Sequence, residues 1–353
     1  MSYDAFLLVS FGGPEGRDDV IPFLENVTRG RNVPRDRLDQ VAEHYYRFGG
    51  VSPINQQCRD LLAAVEKDFA GGGIDLPVYW GNRNWDPYLT DAVAAMAADG
   101  RQRAVAFVTS AYSSFSSCRQ YLEDIERSRA HAGPAAPRID KLRPYFNHPG
   151  FIEPFADAVR AAAQSLSVIN EGLDLVFTAH SIPEAMAAAS GSAGGAYARQ
   201  LAEASRLVAE RAEARSWRLA YQSRSGPPTV PWLGPDVGEC LAELARSGSA
   251  GVVLVPVGFT SDHMEIVFDL DVEAAQAAER LGLPLARAMT PGTDPRFVAM
   301  ITELLREQQD GRPPRALGEL GPALGTCGNG CCGAGASRPA AGPRAAGRAG
   351  GTA

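Results

Sequence analysis

Short apolar runs alternate with longer amphipathic stretches along most of the 353 residues, and no other feature of the sequence constrains the fold as strongly. Runs at 5–9, 77–81, 104–109, 173–178, 219–222 and 251–256 have the length and residue content of strands. Stretches at 35–46, 54–69, 87–97, 119–130, 154–166, 194–211, 237–247, 272–280 and 294–307 carry apolar residues at helical spacing. Strand alternating with helix yields a doubly wound parallel sheet, because each parallel crossover needs a long connection and a helix supplies it. The run Gly251-Val-Val-Leu-Val-Pro256 is apolar on both faces, as a central strand covered on both sides must be. The pattern occurs twice, with Pro144, Pro149 and Gly150 as breakers between. The chain therefore reads as α/β, with doubly wound parallel-sheet domains at 1–149 and 150–320 and a cysteine-containing tail at 321–353, disordered after about 333.

Bulk properties narrow the function. A hydrophobic fraction of 45% supports a sizeable core, and a formal net charge of −7 argues against a nucleic-acid partner, which requires a basic face. The cations are almost all Arg, since only Lys67 and Lys141 are Lys, which leaves many planar forks suited to carboxylates. The N-terminus shows no leader, and the longest apolar run, near 251–259, is far too short to span a bilayer. The expectation is a soluble, cytoplasmic protein without stable membrane insertion. Gly12-Gly-Pro-Glu-Gly16 follows the first strand, but its spacing is not that of a dinucleotide loop and Pro14 removes an amide donor, so a nucleotide cofactor is rejected.

In doubly wound folds chemistry sits beyond the C-terminal ends of the strands. Two such ends carry it here. The strand ending near Thr178 leads into Ala179-His180-Ser181-Ile182-Pro183, so His180 is placed as a proton acceptor or metal ligand, or as a satisfied loop histidine. The strand 251–256 leads into Gly258-Phe-Thr-Ser-Asp-His-Met-Glu265. A helix beginning near Ser261 would stack Asp262, Glu265 and Asp269 on about one face. Such a ridge suits transient binding of a divalent cation, although an acidic helix start explains its first members equally well.

These two segments resemble the signature pair of the ferrochelatases. The resemblance continues, in order, through Leu7-Leu-Val-Ser-Phe-Gly-Gly-Pro14, Gly49-Gly-Val-Ser-Pro-Ile54, Tyr79-Trp-Gly-Asn-Arg-Asn-Trp-Asp-Pro87, Tyr221-Gln-Ser and Pro231-Trp-Leu-Gly-Pro235, covering 5–307. It implies two flavodoxin-like halves with a porphyrin cleft between them. His180 and Glu265 would face each other across the macrocycle and hold Fe²⁺. His180 would accept the pyrrole protons, Asp262 and Asp269 would line the metal route, and His263 would support the pair. Ser52, Tyr121 and Trp232, with Arg29 and Arg31 as forks for propionates, are the implied porphyrin contacts. Phe11 belongs to the same wall, but stands where several relatives carry Tyr, so a phenolate contact to iron is not available there.

Cys327, Cys331 and Cys332 fall within six positions of a Gly-rich tail, which is a metal-site pattern. Ferrochelatases that carry a [2Fe-2S] cluster draw three ligands from such a tail and one from the region of Cys118. The resemblance therefore implies a cluster on Cys118, Cys327, Cys331 and Cys332, with Zn²⁺ as the alternative. Among substrates, the charged segment 33–40 and the arginines favour coproporphyrin III over protoporphyrin IX. Transient contact with neighbouring haem-pathway enzymes is also expected. Two rival readings are a cobalt or nickel chelatase for another tetrapyrrole and a haem-binding or haem-delivery protein without chemistry.

Overall fold

The computed structural model describes residues 2–166, 173–225, 229–325 and 331–332. Two four-stranded sheets, each fully parallel, organise the chain. The first contains β1 (Ala5–Ser10), β2 (Val78–Asn82), β3 (Arg103–Val108) and β4 (Arg138–Lys141) in the order β2-β1-β3-β4. The second repeats that order as β6-β5-β7-β8, with β5 (Leu173–His180), β6 (Trp217–Gln222), β7 (Gly251–Val255) and β8 (Leu285–Arg287). The central strands β1 and β7 are buried along their whole length, which is why their sequences are apolar on both faces.

In the first half, α1 (Val20–Thr28), α2 (Arg35–Tyr46) and α3 (Ile54–Gly71) lie between β1 and β2. They are followed by α4 (Leu89–Ala98) and α5 (Gln120–Ala132), the latter entered through a π-helical turn at Phe115–Arg119. The connection to the second sheet is α6 (Pro149–Ser165). The second half adds α7 (Glu184–Ala188), α8 (Ala196–Arg211), α9 (Val237–Arg246) and α10 (Met264–Phe268). A π-helical stretch, Asp269–Ala274, carries α10 into α11 (Ala275–Leu281), and α12 (Pro295–Asp310) closes the fold.

One buried apolar cluster runs through both halves: Phe6 and Phe107 belong to it together with Phe151, Phe177, Val255 and Phe297. Phe107 stacks on Tyr145 at 4.9 Å and meets Phe297 of α12 edge-on at 6.1 Å. α12 also reaches α3, where Thr302 donates to Asp68. Beyond α12 the chain returns over the middle of the molecule, with the Asn147 amide donating to the carbonyls of Leu317 (3.0 Å) and Gly321 (2.8 Å). Among the described residues no helix is long and apolar enough to cross a membrane.

All six expected strands are present. The sequence did not reveal β4 and β8, because both are short edge strands and β4 reads Arg-Ile-Asp-Lys. It also missed α1, which has a Pro in its first turn, and the five-residue α7. The helix expected from 154 starts at Pro149: proline suits a first turn, and His148 Nδ1 accepts the Gly150 amide at 3.1 Å. The helix expected from near Ser261 starts at Met264 instead, because His263 is extended (φ −147°, ψ −179°) and caps it by accepting the Glu265 amide. Asp262 thus precedes the helix and does not share a helical face with Glu265 and Asp269.

Candidate functional site

Strand order reverses between β1 and β3 and again between β5 and β7, which leaves a crevice beyond the strand ends at each point. His180 is the last residue of β5. The segment after β7 is stitched to it: the Gly258 amide donates to Thr178 O at 3.0 Å. A Cβ on Gly258 would lie 2.7 Å from both Cα and Cβ of Ala179, so only glycine allows this approach. The loop then turns into α10 and delivers Glu265, whose Oε1 lies 3.5 Å from His180 Nε2. These side chains keep 33% and 44% of their surface accessible, so the pair is open to a substrate.

His180 Nδ1 lies against the Ser181 carbonyl, so Nδ1 carries the proton and Nε2 is directed at the carboxylate. Burial pulls the His180 pKa down, yet the Glu265 charge, its hydrogen bond, the Ser181 carbonyl and Asp269 together leave it above the ordinary histidine value. Burial pushes the Glu265 carboxyl up, but His180 and His263 outweigh it and lower it to about 2. At neutral pH the Glu265 carboxyl is therefore ionised, and its charge favours the protonated form of the imidazole beside it. Asp269 accepts from Ser223 Oγ and from Gln222 Nε2 at 3.4 Å. Burial first, and then the Glu265 charge, raise it to about 7 against the opposing Ser223 hydrogen bond. His263 packs edge-on against Phe259 at 4.9 Å, with Nδ1 3.9 Å from Glu265 Oε2, and burial holds its pKa below the usual value.

Two geometric expectations are corrected. Side chains on opposite faces of a flat macrocycle need about 7 Å between them, twice a van der Waals contact. At 3.5 Å, His180 and Glu265 stand together, too close for a macrocycle to lie between them as they are placed. Asp262 is engaged on both oxygens, by Arg287 at 3.2 and 3.0 Å and by Thr290 Oγ1 at 3.0 Å. Its amide donates to Gln57 of α3 at 2.8 Å.

Several of the expected porphyrin contacts lie in the first half. Phe11 is 37% exposed, while Ser52 and Tyr121 are 4% and 5% exposed. A Cβ on Gly13 would meet Ser52 Cβ at 2.7 Å, so the loop after β1 is seated directly on Ser52. Buried Asn55 fixes the same loop through the amide and carbonyl of Gly13, both at 3.2 Å. Arg83 organises the rest: its guanidinium lies 4.4 Å over the Tyr121 ring and 6.0 Å over Phe11, and it pairs with Asp124. Burial, with the Arg83 charge second, lowers the Arg31 pKa, whereas Arg29 bonds to Asn26 at the surface. Trp232 pairs with Pro183 through an isolated bridge, three residues beyond His180, and its indole N–H has no partner among the described residues.

Of the tail cysteines, Cys327 lies outside the described residues. Cys332 is 3% exposed, receives the Gly191 amide on Sγ at 3.4 Å, and lies 4.0 Å, sulfur to sulfur, from Cys331. Cys118 is 5% exposed in the π-helical turn, whose Ser116 reaches Met186 Sδ at 3.9 Å, on the helix just before Gly191. Among the described residues no group of three or more His, Cys, Asp or Glu side chains is arranged to hold a metal ion. Sequence reasoning assigned no role to Gln222, Ser223 or Arg287, because what they do depends on pairings between distant segments that carry no local signal.

Two parallel sheets of the same order, 2-1-3-4, make a duplicated doubly wound α/β fold. The sirohydrochlorin chelatase SirB of Bacillus subtilis, solved with cobalt, superposes with a TM-score of 0.52 at 12% identity, over 88% of this chain and 97% of that one. SirB from Bacillus subtilis with Fe³⁺ gives 0.54 at 14% identity, over 88% and 98%. A family model described as ferrochelatase matches residues 3–309. The coproporphyrin III ferrochelatase of Streptomyces coelicolor is 52% identical over 96% of each chain, and that of Nocardia farcinica 54% over 99% of this chain and 100% of that one. The ferrochelatase of Rhodopirellula baltica is 53% identical over 94% of this chain and 93% of that one. The chain belongs to the ferrochelatase family, and is a metal chelatase.

Proposed function

We propose that this protein inserts Fe²⁺ into coproporphyrin III, with His180 accepting the pyrrole protons and Glu265 beside it guiding the metal. The observation that carries the reading is the 3.5 Å His180–Glu265 contact at the second reversal of strand order. Metal ligands must give up protons, so Fe²⁺ approaching Glu265 favours loss of the proton shared with His180. The proton that leaves goes to solvent; the freed Nε2 then takes one proton from a pyrrole nitrogen held over the pair, releases it to solvent and takes the second, so that two protons leave as Fe²⁺ enters. Asp269, at about 7, is half-occupied near neutral pH and is placed to pass protons on or to stage the incoming cation. The substrate class rests on the relatives named for coproporphyrin III, at 52% and 54% identity over nearly the whole chain. Arg29 and Arg31, together with the charged start of α2, where Arg35 pairs with Glu25 and Asp39, suit four propionates better than a bare apolar rim.

The reading includes a [2Fe-2S] cluster held by Cys118, Cys327, Cys331 and Cys332. Two thiolates on one tetrahedral ion, with bonds of about 2.3 Å, lie about 3.8 Å apart. The 4.0 Å Cys331–Cys332 separation and the Gly191 N–H directed at Cys332 Sγ fit such a group. When bound, the cluster would supply redox sensing and tie the tail to α7 and Cys118. Zn²⁺ is the other outcome of the test.

The purified full chain is mixed anaerobically with Fe²⁺ and either coproporphyrin III or protoporphyrin IX, and the Soret band is followed. The expected result is faster metallation of coproporphyrin III, with kcat reduced by about 10² or more in His180→Ala. No metallation of either porphyrin overturns the chelatase reading for this chain; preference for protoporphyrin IX overturns the substrate; full activity of the variant overturns the role of His180. Visible absorption with two irons per chain supports the cluster, and a colourless protein with stoichiometric zinc refutes it.

A further inference from the structure

The 3.5 Å contact joins residues from two different strand ends, so something must hold those ends in register. Two buried tyrosines meet that need. Tyr197, near the start of α8, donates its hydroxyl to the carbonyl of His180 itself at 2.9 Å. Tyr112, in the loop after β3 of the first half, donates to the carbonyl of Val257 at 2.7 Å. Val257 opens the segment that carries Gly258 and ends at Glu265. The two rings meet edge-to-face, with centroids 6.2 Å apart and planes at 81°, and are 2% (Tyr112) and 5% (Tyr197) exposed.

The arrangement is braced at both ends. The Tyr197 amide donates to Ser190 Oγ at 2.8 Å. One turn further along α8, Gln200 accepts the Ser113 amide at 2.7 Å and donates to Ser113 Oγ at 3.0 Å, locking the loop of Tyr112 to the helix of Tyr197. Burial holds both phenols well above the usual tyrosine range, so each keeps the proton that makes it a donor. Edge-to-face aromatic pairs resist sliding, and a buried carbonyl deprived of its donor must move or stay unsatisfied.

We propose that Tyr112 and Tyr197 are positioning residues, a paired buttress that sets the separation of His180 and Glu265 by holding the backbone behind each. Neither touches the cleft; each acts through a main-chain carbonyl. The buttress crosses the two halves, so the site's geometry depends on their packing as well as on its own strand ends. The inference rests on His180 and Glu265 being the reacting pair.

The test is Tyr112→Phe and Tyr197→Phe in the full chain, each change removing one hydroxyl and keeping the ring. With coproporphyrin III and Fe²⁺, each variant is expected to lose about fivefold to twentyfold in kcat, while the porphyrin KM stays within twofold. In the double variant the losses are expected not to multiply, because both hydroxyls serve one distance. A lowered melting temperature with wild-type kcat would show a merely structural role and overturns the proposal, as does a loss confined to KM. Should one variant fail to fold, the kcat-against-KM split of the other decides. His180→Ala runs in parallel. If it is inactive and both Phe variants have wild-type kcat, the buttress fails alone; if it is fully active, the reading of the pair fails first.

Discussion

Asp269 shows how a single side chain is tuned by what surrounds it. Its carboxyl is buried near the Glu265 charge, and the Ser223 hydroxyl compensates only in part, so its pKa is raised to about 7 from an ordinary 3.8. An acid whose folded pKa lies above its unfolded one binds a proton more tightly in the native state. Its contribution to stability is therefore full below about pH 4 and is lost as pH rises through 7. Asp269→Asn removes that loss. Its melting temperature is expected to match wild type near pH 4 and to exceed it by a few degrees at pH 8, from about 1–2 kcal/mol after screening is allowed for. A thermal-melt series across that range checks it, and a constant difference at all pH values contradicts it. Strand ends and helical spacing are local patterns, so the sequence could place His180 at a strand end and Glu265 and Asp269 four residues apart; their roles came from the resemblance to ferrochelatases. The partners that tune or position them were not legible there. Ser223 and Tyr197 meet their targets across 46 and 17 residues, and Tyr112 reaches Val257 across 145. In sequence each tyrosine reads as an ordinary core residue.

At the level of elements, the site depends on how closely two strand ends approach, and Gly258 sets that limit. A methyl group there meets Ala179 Cα and Cβ at 2.7 Å, and neither atom can swing away, because Ala179 lies within β5 and is fully buried. Gly258→Ala is expected to cost about 1–3 kcal/mol, as overpacked cores do, and to push the Glu265 segment away from His180. The melting temperature should fall by several degrees, and kcat for coproporphyrin III metallation by at least tenfold. A stable variant with normal kcat would show that the close approach is incidental. The same elements show where sequence patterning fails. Edge strands β4 and β8 have too few residues for a period-2 signal. The start of α10 was displaced because His263 itself serves as the cap, and histidine is not among the residues that ordinarily announce a helix start. The π-helical stretch after Phe268 has no sequence signature, yet it sets where Asp269 and Glu273 project.

For the molecule as a whole, the duplicated strand order suggests two independent domains, and the chain's own breakers at Pro144 and Pro149 invite a cut between them. The packing argues the other way. Phe6, Phe107 and Tyr145 of the first half and Phe151, Phe177 and Phe297 of the second belong to one buried cluster. α12, last in sequence, lies between them, bonded to α3 through Thr302 and to the inter-sheet connection through the Arg143–Glu307 pair at 2.7 Å. Separating the halves would expose the large aromatic side chains of that cluster, each of which buries on the order of 150–250 Å². Neither half could offset that exposure from its own outer cluster, which for the first sheet consists mainly of small and medium residues such as Ala92, Val93, Ala106 and Ile125. The halves should therefore unfold together, even though chains of this length more often melt in stages. Calorimetry of the full chain is expected to give a single endotherm with calorimetric and van't Hoff enthalpies in a ratio near one, and residues 1–149 alone are expected not to reach a folded state. Two resolved endotherms, or a cooperatively melting 1–149 fragment, would show that the shared core is only a contact between finished domains. The buttress of Tyr112 and Tyr197 would then have to hold the catalytic pair across a movable interface.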